Sequence, residues 1–468
     1  MSKINFKTNF KKILGDTYTP VGIYLRFRDQ FPNSIIMESS DYHGNEHSYS
    51  YICFDPISKF VVENETISQQ LPSGELTTTP VTDRKQVTQG LQAYASSFSY
   101  EKPDVPYITH GLFGYSSYNA VRYFEDIEIS AYESDERAIP DLYYQVYRYV
   151  LVYSHEKDEI YIYEHLREDE ESGMSKVVEI LNKKDFASFK FESSNDETSN
   201  FTDEEFLKVL QKGMDHCFRG DVFQIVLSRR FQQSFKGDEF QVYRALRHIN
   251  PSPYLFFFDF GGFKIFGSSP EAQIVIENGQ ATIFPIAGTF RRTGNDEQDT
   301  ELAKKLFDDP KENSEHVMLV DLARNDLSRH GSEVTVKTFK EIQFYSHVIH
   351  LVSKVVGKMD DVNQSIQLVA DTFPAGTLSG APKHMAMRLI DKYENNCRGY
   401  YGGAIGYLGF EGEFNHAIMI RTILSKNNNL YYQAGAGVVA KSTIESELQE
   451  VHNKLLAPKT AIELANKI

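Results

Sequence analysis

Cysteine is scarce in this chain of 468 residues. The three cysteines, Cys53, Cys217 and Cys397, are odd in number and far apart, and no CxxC pair occurs among them. A disulfide framework or a structural zinc site needs paired or closely spaced cysteines, so both are excluded. The cysteine pattern therefore indicates a reducing compartment.

Long apolar runs and basic clusters are absent as well. No run of eighteen apolar residues occurs, and the N-terminal segment MSKINFKTNFKKILGD lacks the apolar core of a signal peptide. Lysine and arginine number 49 against 65 aspartate and glutamate, which gives a formal net charge of −16. Neither nucleic-acid binding nor membrane binding is expected. We expect a soluble, cytoplasmic protein in which any anionic ligand must meet local cations.

The length exceeds that of one ordinary core, which favours two or three domains or one large intertwined domain. Residues 1–190 read mostly as strands. A polar stretch at 167–200 marks a boundary or exposed connection, and a second region covers 200–468. Thr202 to Glu205 forms a capping box that predicts a helix at the start of this region. Short turns between later strand candidates indicate antiparallel pairing. Further helices are predicted at Glu297–Phe307, Glu312–Leu327, Pro382–Tyr393, Thr443–Leu456 and, opening on a proline, Pro458–Asn466.

The stretch from Tyr400 to Lys454 carries the densest set of candidate functional residues. Strands are predicted at Gly402–Phe410, Glu413–Ile423 and Leu430–Val439, and Arg421 lies within the second of them. An arginine among apolar neighbours needs an anion or several acceptors beside it. A bound carboxylate or phosphate and an internal ion pair both satisfy that need.

Two ExxE pairs place carboxylates on helices. Glu312 with Glu315, and Glu447 with Glu450, each share a helix face because residues three apart are neighbours there. If the two helices face each other, four carboxylates surround a hard cation, for which Mg²⁺ is the natural occupant. The alternative is solvated surface, with Glu450 and Lys454 as an ordinary ion pair.

Glycines and single polar residues are less specific. Gly402, Gly403 and Gly406 lie within a strand candidate rather than opening a βαβ unit, so a dinucleotide site is not indicated. Glycine in a strand marks either the close approach of a ligand or a bulge. His350 lies in an alternating run, where a histidine is either structural or a base. Glu271 lies at the start of a strand, where a carboxylate is usually a solvated or capping residue.

Several longer motifs together resemble the chorismate-utilising enzymes, and among them the anthranilate synthase component I family. They run in family order along the chain: IIMESSD (35–41), IVLSRR (225–230), GSSPE (267–271), PIAGT (285–289), EHVMLVDLARNDL (315–327), FPAGTLSGAPK (373–383), YGGAIGY (401–407), IMIRT (418–422) and QAGAGVV (433–439). The resemblance implies an α+β fold in which helices enclose a large sandwich of two antiparallel sheets, with intertwined halves.

The resemblance also implies a reaction, the amination of chorismate with loss of pyruvate to give anthranilate. Relatives that add water carry lysine where this chain has Gln224, and aminodeoxychorismate synthases usually carry lysine where it has Ala287. Neither glutamine nor alanine can act as a base or nucleophile, which leaves ammonia as the nucleophile. Because no glutamine-hydrolysing module is found before Ile468, we expect ammonia from a glutamine amidotransferase subunit, component II, in a heterotetramer.

Site roles follow from the same resemblance. Glu271 is the expected general acid and His350 assists pyruvate elimination. The remaining expected contacts divide into three groups: Mg²⁺ ligands at Glu315, Glu450, Glu312 and Glu447; a catalytic-site contact at Thr377; and substrate contacts at Gly288, Thr289, Tyr401, Arg421, Gly435, Ala436, Gly437 and Lys454.

A feedback site for tryptophan is also implied. Glu38 and Ser39 match the family's inhibitor motif, and the segment Pro253, Tyr254, Leu255 is the expected opposite wall. The family often has Arg or Lys shortly after this motif, whereas this chain offers only His47. Two rival readings are aminodeoxychorismate synthase component I and a catalytically idle amino-acid sensor.

Overall fold

Two antiparallel sheets and the helices on their outer faces make up the fold of this computed structural model, which describes residues 3–39, 48–130, 135–329, 331–344 and 348–468. The strands are β1 (Ile4–Leu14), β2 (Ile35–Glu38), β3 (Tyr49–Glu63), β4 (Thr66–Gln70), β5 (Leu76–Pro80), β6 (Phe98–Tyr100), β7 (Leu112–Ser116), β8 (Leu142–Ser154), β9 (Glu159–Leu166), β10 (Phe191–Ser193), β11 (Thr198–Ser199), β12 (Gln224–Gly237), β13 (Tyr254–Asp259), β14 (Phe263–Ser269), β15 (Ala272–Glu277), β16 (Gln280–Ile283), β17 (Ile286–Arg291), β18 (Gly331–Phe344), β19 (Val348–Met359), β20 (Gly380–Ala381), β21 (Ala404–Leu408), β22 (Phe414–Ile418), β23 (Thr422–Lys426) and β24 (Asn429–Val439). The helices are α1 (Pro20–Phe27), α2 (Lys85–Ser96), α3 (Val121–Phe124), α4 (Met174–Leu181), α5 (Asp203–Arg219), α6 (Phe240–Ile249), α7 (Asp296–Asp308), α8 (Pro310–Leu327), α9 (Ser365–Thr372), α10 (Gly376–Ser379), α11 (Lys383–Tyr393) and α12 (Ile444–Ala465).

The strand order shows how the two sheets are joined. The first sheet runs β1, β9, β8, β3, β2, β13, β14, β23, β24, β12. The second runs β5, β4, β3, β8, β7, β21, β22, β15, β16, β19, β18. The long strands β3 and β8 belong to both, and their register shifts between Pro56 and Ser58. A bulge of this kind bends a strand, which lets one pair of strands serve two sheets.

Three apolar layers follow from the alternation of side chains along the strands. In β13, Leu255 and Phe257 pack under α5, α6 and α12, whereas Phe256 and Phe258 point between the sheets. The outer face of the second sheet packs on α2, α8 and α9. This architecture confirms the predicted α+β class and the sandwich enclosed by helices. Each sheet contains strands of both regions: those from residues 1–190 lie together at one end and those from 200–468 at the other, joined by the pairs β2–β13 and β7–β21.

Several predicted elements are correct. Thr202 caps α5 through the expected reciprocal bonds with Glu205, and α7, α8 and α11 lie within two residues of the predicted bounds. Three of the described helices in the second region were not predicted, α6, α9 and the short α10. The polar stretch at 167–200 contains α4, whose Val177, Ile180 and Leu181 are buried, so that part of it is not an exposed connection.

Two predictions about the C-terminal region were wrong. Pro458 does not open a helix, because α12 continues through it. The predicted strand Glu413–Ile423 is two strands: β22 pairs in the second sheet, β23 pairs in the first, and Arg421 lies in the crossing between them with a left-handed φ of 49°. Arg421 is therefore not a mid-strand residue. The residues on either side of Arg421 are apolar because β22 and β23 are both buried.

None of the described helices is long and apolar enough to cross a membrane.

Candidate active site

The candidate site lies where the chain crosses from one sheet to the other. Glu271 occupies the crossing between β14 and β15, and Arg421 occupies the crossing between β22 and β23. Backbone bonds hold the two crossings side by side: Ile418 N donates to Glu271 O at 2.9 Å, and Ser268 N donates to Arg421 O at 3.2 Å. The strand pairing thus fixes Glu271 and Arg421 as neighbours, although they are far apart in the sequence.

Arg421 is a cation without an ion-pair partner among the residues that the structure describes. In the part of the chain that the structure describes, no residue accepts a hydrogen bond from its half-buried guanidinium or forms an ion pair with it. Burial lowers its pKa, and the Glu271 carboxyl only partly offsets that effect. Of the two readings left open by the sequence, the internal ion pair is therefore wrong.

Glu271 has a raised pKa in this crossing. Burial raises its pKa to about 7, while a hydrogen bond from Thr377 and the charges of Lys454 and Arg421 oppose the rise. The Thr377 hydroxyl donates to Glu271 Oε1 at 2.9 Å. Glu271 is half-buried in the crossing, so the reading of a solvated rim carboxylate was wrong. Its raised pKa suits proton donation at neutral pH.

His350 lies on β19 against a bulge in β17. The bulge falls between Ala287 and Thr289, and His350 Nδ1 lies 3.2 Å from the carbonyl oxygen of Gly288. The pKa of His350 is lowered to about 4, mainly by burial and in part by the charge of Arg421, while the Gly288 carbonyl opposes the change. The ring is therefore neutral at physiological pH. The structure does not describe the side chains of Ala287 and Thr289, so the predicted contact from Thr289 lies outside the described residues.

The glycines of β24 form a wall against β12. Gly435, Ala436 and Gly437 pair with Ser228, Leu227 and Val226. A Cβ at Gly435 would lie 3.2 Å from the Tyr401 hydroxyl oxygen. The Lys454 ammonium donates to Gly435 O at 2.9 Å and pairs with Glu450 at 2.6 Å.

Gln224 lines the same wall at the start of β12. A Cβ at Gly437 would stand 2.5 Å from Gln224 Nε2, so glycine is needed for the amide to lie there. The side chain is 7% exposed, and its Oε1 has no hydrogen-bond partner among the described residues. An amide oxygen buried in this way remains available to a donor on a ligand.

The four carboxylates expected to bind metal lie on the two predicted helices. Glu312 on α8 approaches Gly288, with Oε2 2.9 Å from where a Cβ would stand, and Glu450 on α12 raises the pKa of Tyr401 in part. Glu447 is 2% exposed, so the alternative of solvated surface is wrong for that residue. Over residues 3–39, 48–130, 135–329, 331–344 and 348–468, no group of three or more His, Cys, Asp or Glu is arranged to hold a metal ion. The oxygen donors fit Mg²⁺ in type, and their joint binding of it stays a prediction.

A buried ion pair that the sequence did not indicate supports this region. Arg398, which is 1% exposed, pairs with Glu394 at 2.6 Å and donates to Leu378 O, beside Thr377, at 2.6 Å. Its guanidinium also lies 5.7 Å from the centre of the Tyr401 ring. Arg398 lies two residues before the stretch from Tyr400 to Lys454. Its position just before the glycines Gly402 and Gly403 is the sequence feature that could have indicated it.

The expected tryptophan site is brought together around β2. Glu38 pairs in register with Leu255 of β13, so the segment from Pro253 to Leu255 is a neighbouring strand rather than an opposite wall. The Glu38 carboxylate accepts from Tyr243 at 2.6 Å and from Arg247 at 2.8 and 3.0 Å. Arg247 on α6 is therefore a cation next to the motif, which sequence spacing could not show. Ser39 follows β2 at the end of a described segment, and His47 lies outside the described residues.

Comparisons with known proteins show the family to which this chain is similar. The model of the chorismate binding enzyme family matches residues 34–460. Anthranilate synthase component 1 of Acinetobacter calcoaceticus is 36% identical, and the match covers 98% of this chain and 95% of the relative. The same enzyme component of Acetivibrio thermocellus is 37% identical with the same coverage.

Solved structures agree with the fold. Anthranilate synthase component I from Streptococcus pneumoniae superposes with a TM-score of 0.77 at 33% identity, over 95% of this chain and 98% of that one. The menaquinone-specific isochorismate synthase from Escherichia coli gives a TM-score of 0.72 at 17% identity, over 99% of this chain and 96% of that one. The second likeness extends to the fold alone.

Proposed function

This chain belongs to the anthranilate synthase component I family of chorismate-binding enzymes, and from that membership we propose that it aminates chorismate with ammonia and eliminates pyruvate, giving anthranilate. It is an enzyme whose family serves tryptophan biosynthesis.

The unpaired guanidinium of Arg421 is the observation that carries the proposal. A half-buried cation without a protein partner is stabilised when an anionic ligand arrives, and a carboxylate can accept two parallel bonds from it. Chorismate is a dicarboxylate. Arg421 would bind the enolpyruvyl carboxylate, with Tyr401 and the backbone of Gly435 to Gly437 closing around the same group.

Glu271 and His350 supply the proton transfers. As ammonia forms a bond to ring carbon C2, the C4–O bond breaks and the oxygen leaves as water with the proton of Glu271. The new ammonium group then gives a proton to solvent. In the second step the neutral His350 takes the C2 proton while the bond from the ring to the enolpyruvyl oxygen breaks, and the released enolate is protonated at its CH2 carbon to give pyruvate. The ring becomes aromatic in that step.

Thr377 holds the Glu271 carboxyl in place, and Lys454 fixes Gly435 O at the wall of the pocket. Gly288 brings its carbonyl to His350 and Thr289 follows it in β17. A Mg²⁺ ion bound by Glu315 and Glu450, with Glu312 and Glu447 directly or through water, would supply positive charge for the ring carboxylate. In this proposal the ring carboxylate binds on the metal side and the enolpyruvyl carboxylate binds Arg421.

The choice of ammonia rests on Gln224 and Ala287. Neither residue can remove a proton from water or attack the ring, and the buried Gln224 oxygen offers an acceptor to an N–H donor. We expect ammonia from a glutamine-hydrolysing component II subunit in a heterotetramer, in the cytoplasm. Tryptophan bound near Glu38, Ser39 and the start of β13 would inhibit the reaction.

Product analysis tests the proposal. The purified chain is mixed with chorismate, Mg²⁺ and an ammonium salt, and products are separated by chromatography. We expect anthranilate and pyruvate in equal amounts. A 4-amino product without pyruvate would make the chain an aminodeoxychorismate synthase component, and unchanged chorismate with bound tryptophan would make it an idle sensor. Added tryptophan should lower the rate, and removal of Mg²⁺ by a chelator should abolish it.

A further inference from the structure

A cavity lies outside the set of residues assigned to the candidate active site. It has a volume of about 480 Å³ and lies between the last turn of α11 and the segment after it, the middle of β12, and residues 135–137. Glu394 of its lining belongs to the buried ion pair with Arg398, which separates it from the site residues. Most of the lining side chains are charged or carry amides, and small-molecule pockets commonly have this size.

Arg230 is an unpaired cation in this cavity. Its side chain on β12 is half-buried and, within the described ranges, makes neither an ion pair nor a side-chain hydrogen bond. Burial and the neighbouring charge of Arg137 both lower its pKa. Arg137 itself is 2% exposed and is held by an ion pair with Asp135 and a 3.0 Å bond to Cys397 O. Arg230 therefore has unused donors.

Glu136 is an unpaired anion in the same cavity. No hydrogen bond or ion pair is formed by its carboxylate with any residue that the structure describes, and it does not pair with Arg230. The buried phenol of Tyr431 lies within the field of both, because the charges of Glu136 and Arg230 each affect its pKa. The other acidic groups are already engaged: Asp391 accepts from Ser130 N at 2.7 Å, and Glu394 from Arg398.

We propose that this cavity binds a zwitterionic small molecule of the α-amino acid class, with its carboxylate on Arg230 and its ammonium on Glu136. A simple anion is disfavoured by the carboxylates in the wall, and a simple cation by the two guanidiniums. A zwitterion satisfies both unpaired charges at once. The amide of Gln232 in the same lining suits a ligand whose side chain is polar and carries hydrogen-bonding groups.

Isothermal titration calorimetry at low ionic strength tests the site with L-asparagine as the probe, because salt screens charge pairs of this kind. Acetate and methylammonium, which each carry one of the two charges, are the matched ligands. We expect L-asparagine to bind at least about tenfold more tightly than either of them, and Arg230→Gln and Glu136→Gln each to weaken it by about tenfold or more. Arg324→Gln, an exposed arginine on α8, is the control and should leave binding unchanged.

The outcomes separate the alternatives. Absence of heat with L-asparagine up to millimolar concentration, or binding that neither cavity variant weakens, overturns the proposal. Equal binding of acetate that only Arg230→Gln removes identifies a plain anion site and also overturns it. Thermal melting of each variant without ligand reports whether it is folded. Glu136 is exposed, so Glu136→Gln tests the ammonium contact even if Arg230→Gln does not fold.

Discussion

Replacement of Arg421 by alanine removes a cation that has no hydrogen-bond or ion-pair partner among the described residues. Arg421 lies in the crossing between β22 and β23, and its side chain is not required to hold that crossing, which is fixed by backbone bonds to Ser268 and Gly402. The variant should therefore fold. Because burial disfavours the charged guanidinium in the free enzyme, the variant should melt at the same temperature as the parent or slightly higher.

The effect of Arg421→Ala on activity appears when substrate binds. Without Arg421, a substrate carboxylate enters a largely desolvated site with no counterion, which costs about 3 kcal/mol or more of transition-state stabilisation. That corresponds to a fall of more than about 100-fold in kcat/KM. Initial rates of anthranilate formation at saturating ammonium, over a range of chorismate concentrations, give the value directly.

Two comparisons make the measurement specific. Arg324→Ala removes an exposed arginine from α8 and should change kcat/KM by less than about twofold, since its surface pair with Asp321 contributes little. Arg421→Lys keeps a charge but loses the two-pronged contact, so it should fall between the parent and Arg421→Ala. An Arg421→Ala enzyme with the parent's kcat/KM would refute the assignment.

Three further predictions address the acid, the base and the fold. Activity should decline as the pH rises above about 7, where the buried Glu271 loses its proton, and Glu271→Gln should be nearly inactive; a profile flat to pH 9 contradicts the general-acid role. His350→Ala should slow pyruvate release more than amination, so that the aminated intermediate accumulates in a chromatographic time course, and its absence counts against the role. Gly406→Ala should lower the free energy of unfolding by about 3 kcal/mol, because its Cβ would stand 2.1 Å from Asn415 O, whereas Gly262→Ala, with nothing within 4 Å, should show little change in urea denaturation.

The sequence predicted the elements that local signals specify. The capping box at Thr202 and the helical spacing after it located α5, and glycine and asparagine turns located most strands. The helix boundary predicted at Pro458 was wrong because the local sequence around a proline at a helix start resembles that around a proline inside a long helix. The crossing at Arg421 was read as one strand because strands in both sheets are buried there, and an apolar run does not reveal a change of sheet.

Three of the residues expected in the candidate site lie near one another, because the charge of Arg421 affects the pKa values of both Glu271 and His350. Their roles stay predictions. Single-residue reasoning placed Glu271 on a solvated rim, because burial at a crossing between sheets depends on residues distant in sequence. Arg247 beside Glu38 and Arg398 beside Tyr401 were missed for the same reason, since both reach their partners from helices or turns that no local pattern connects to the site.

The most direct test of the central claim is fluorescence of anthranilate upon mixing the purified chain with chorismate, Mg²⁺ and ammonium. The account predicts a fluorescence increase whose rate saturates with chorismate, depends on ammonium and falls when tryptophan is added. A hydroxylated product formed without ammonium, or no turnover of chorismate at any ammonium concentration, would contradict it.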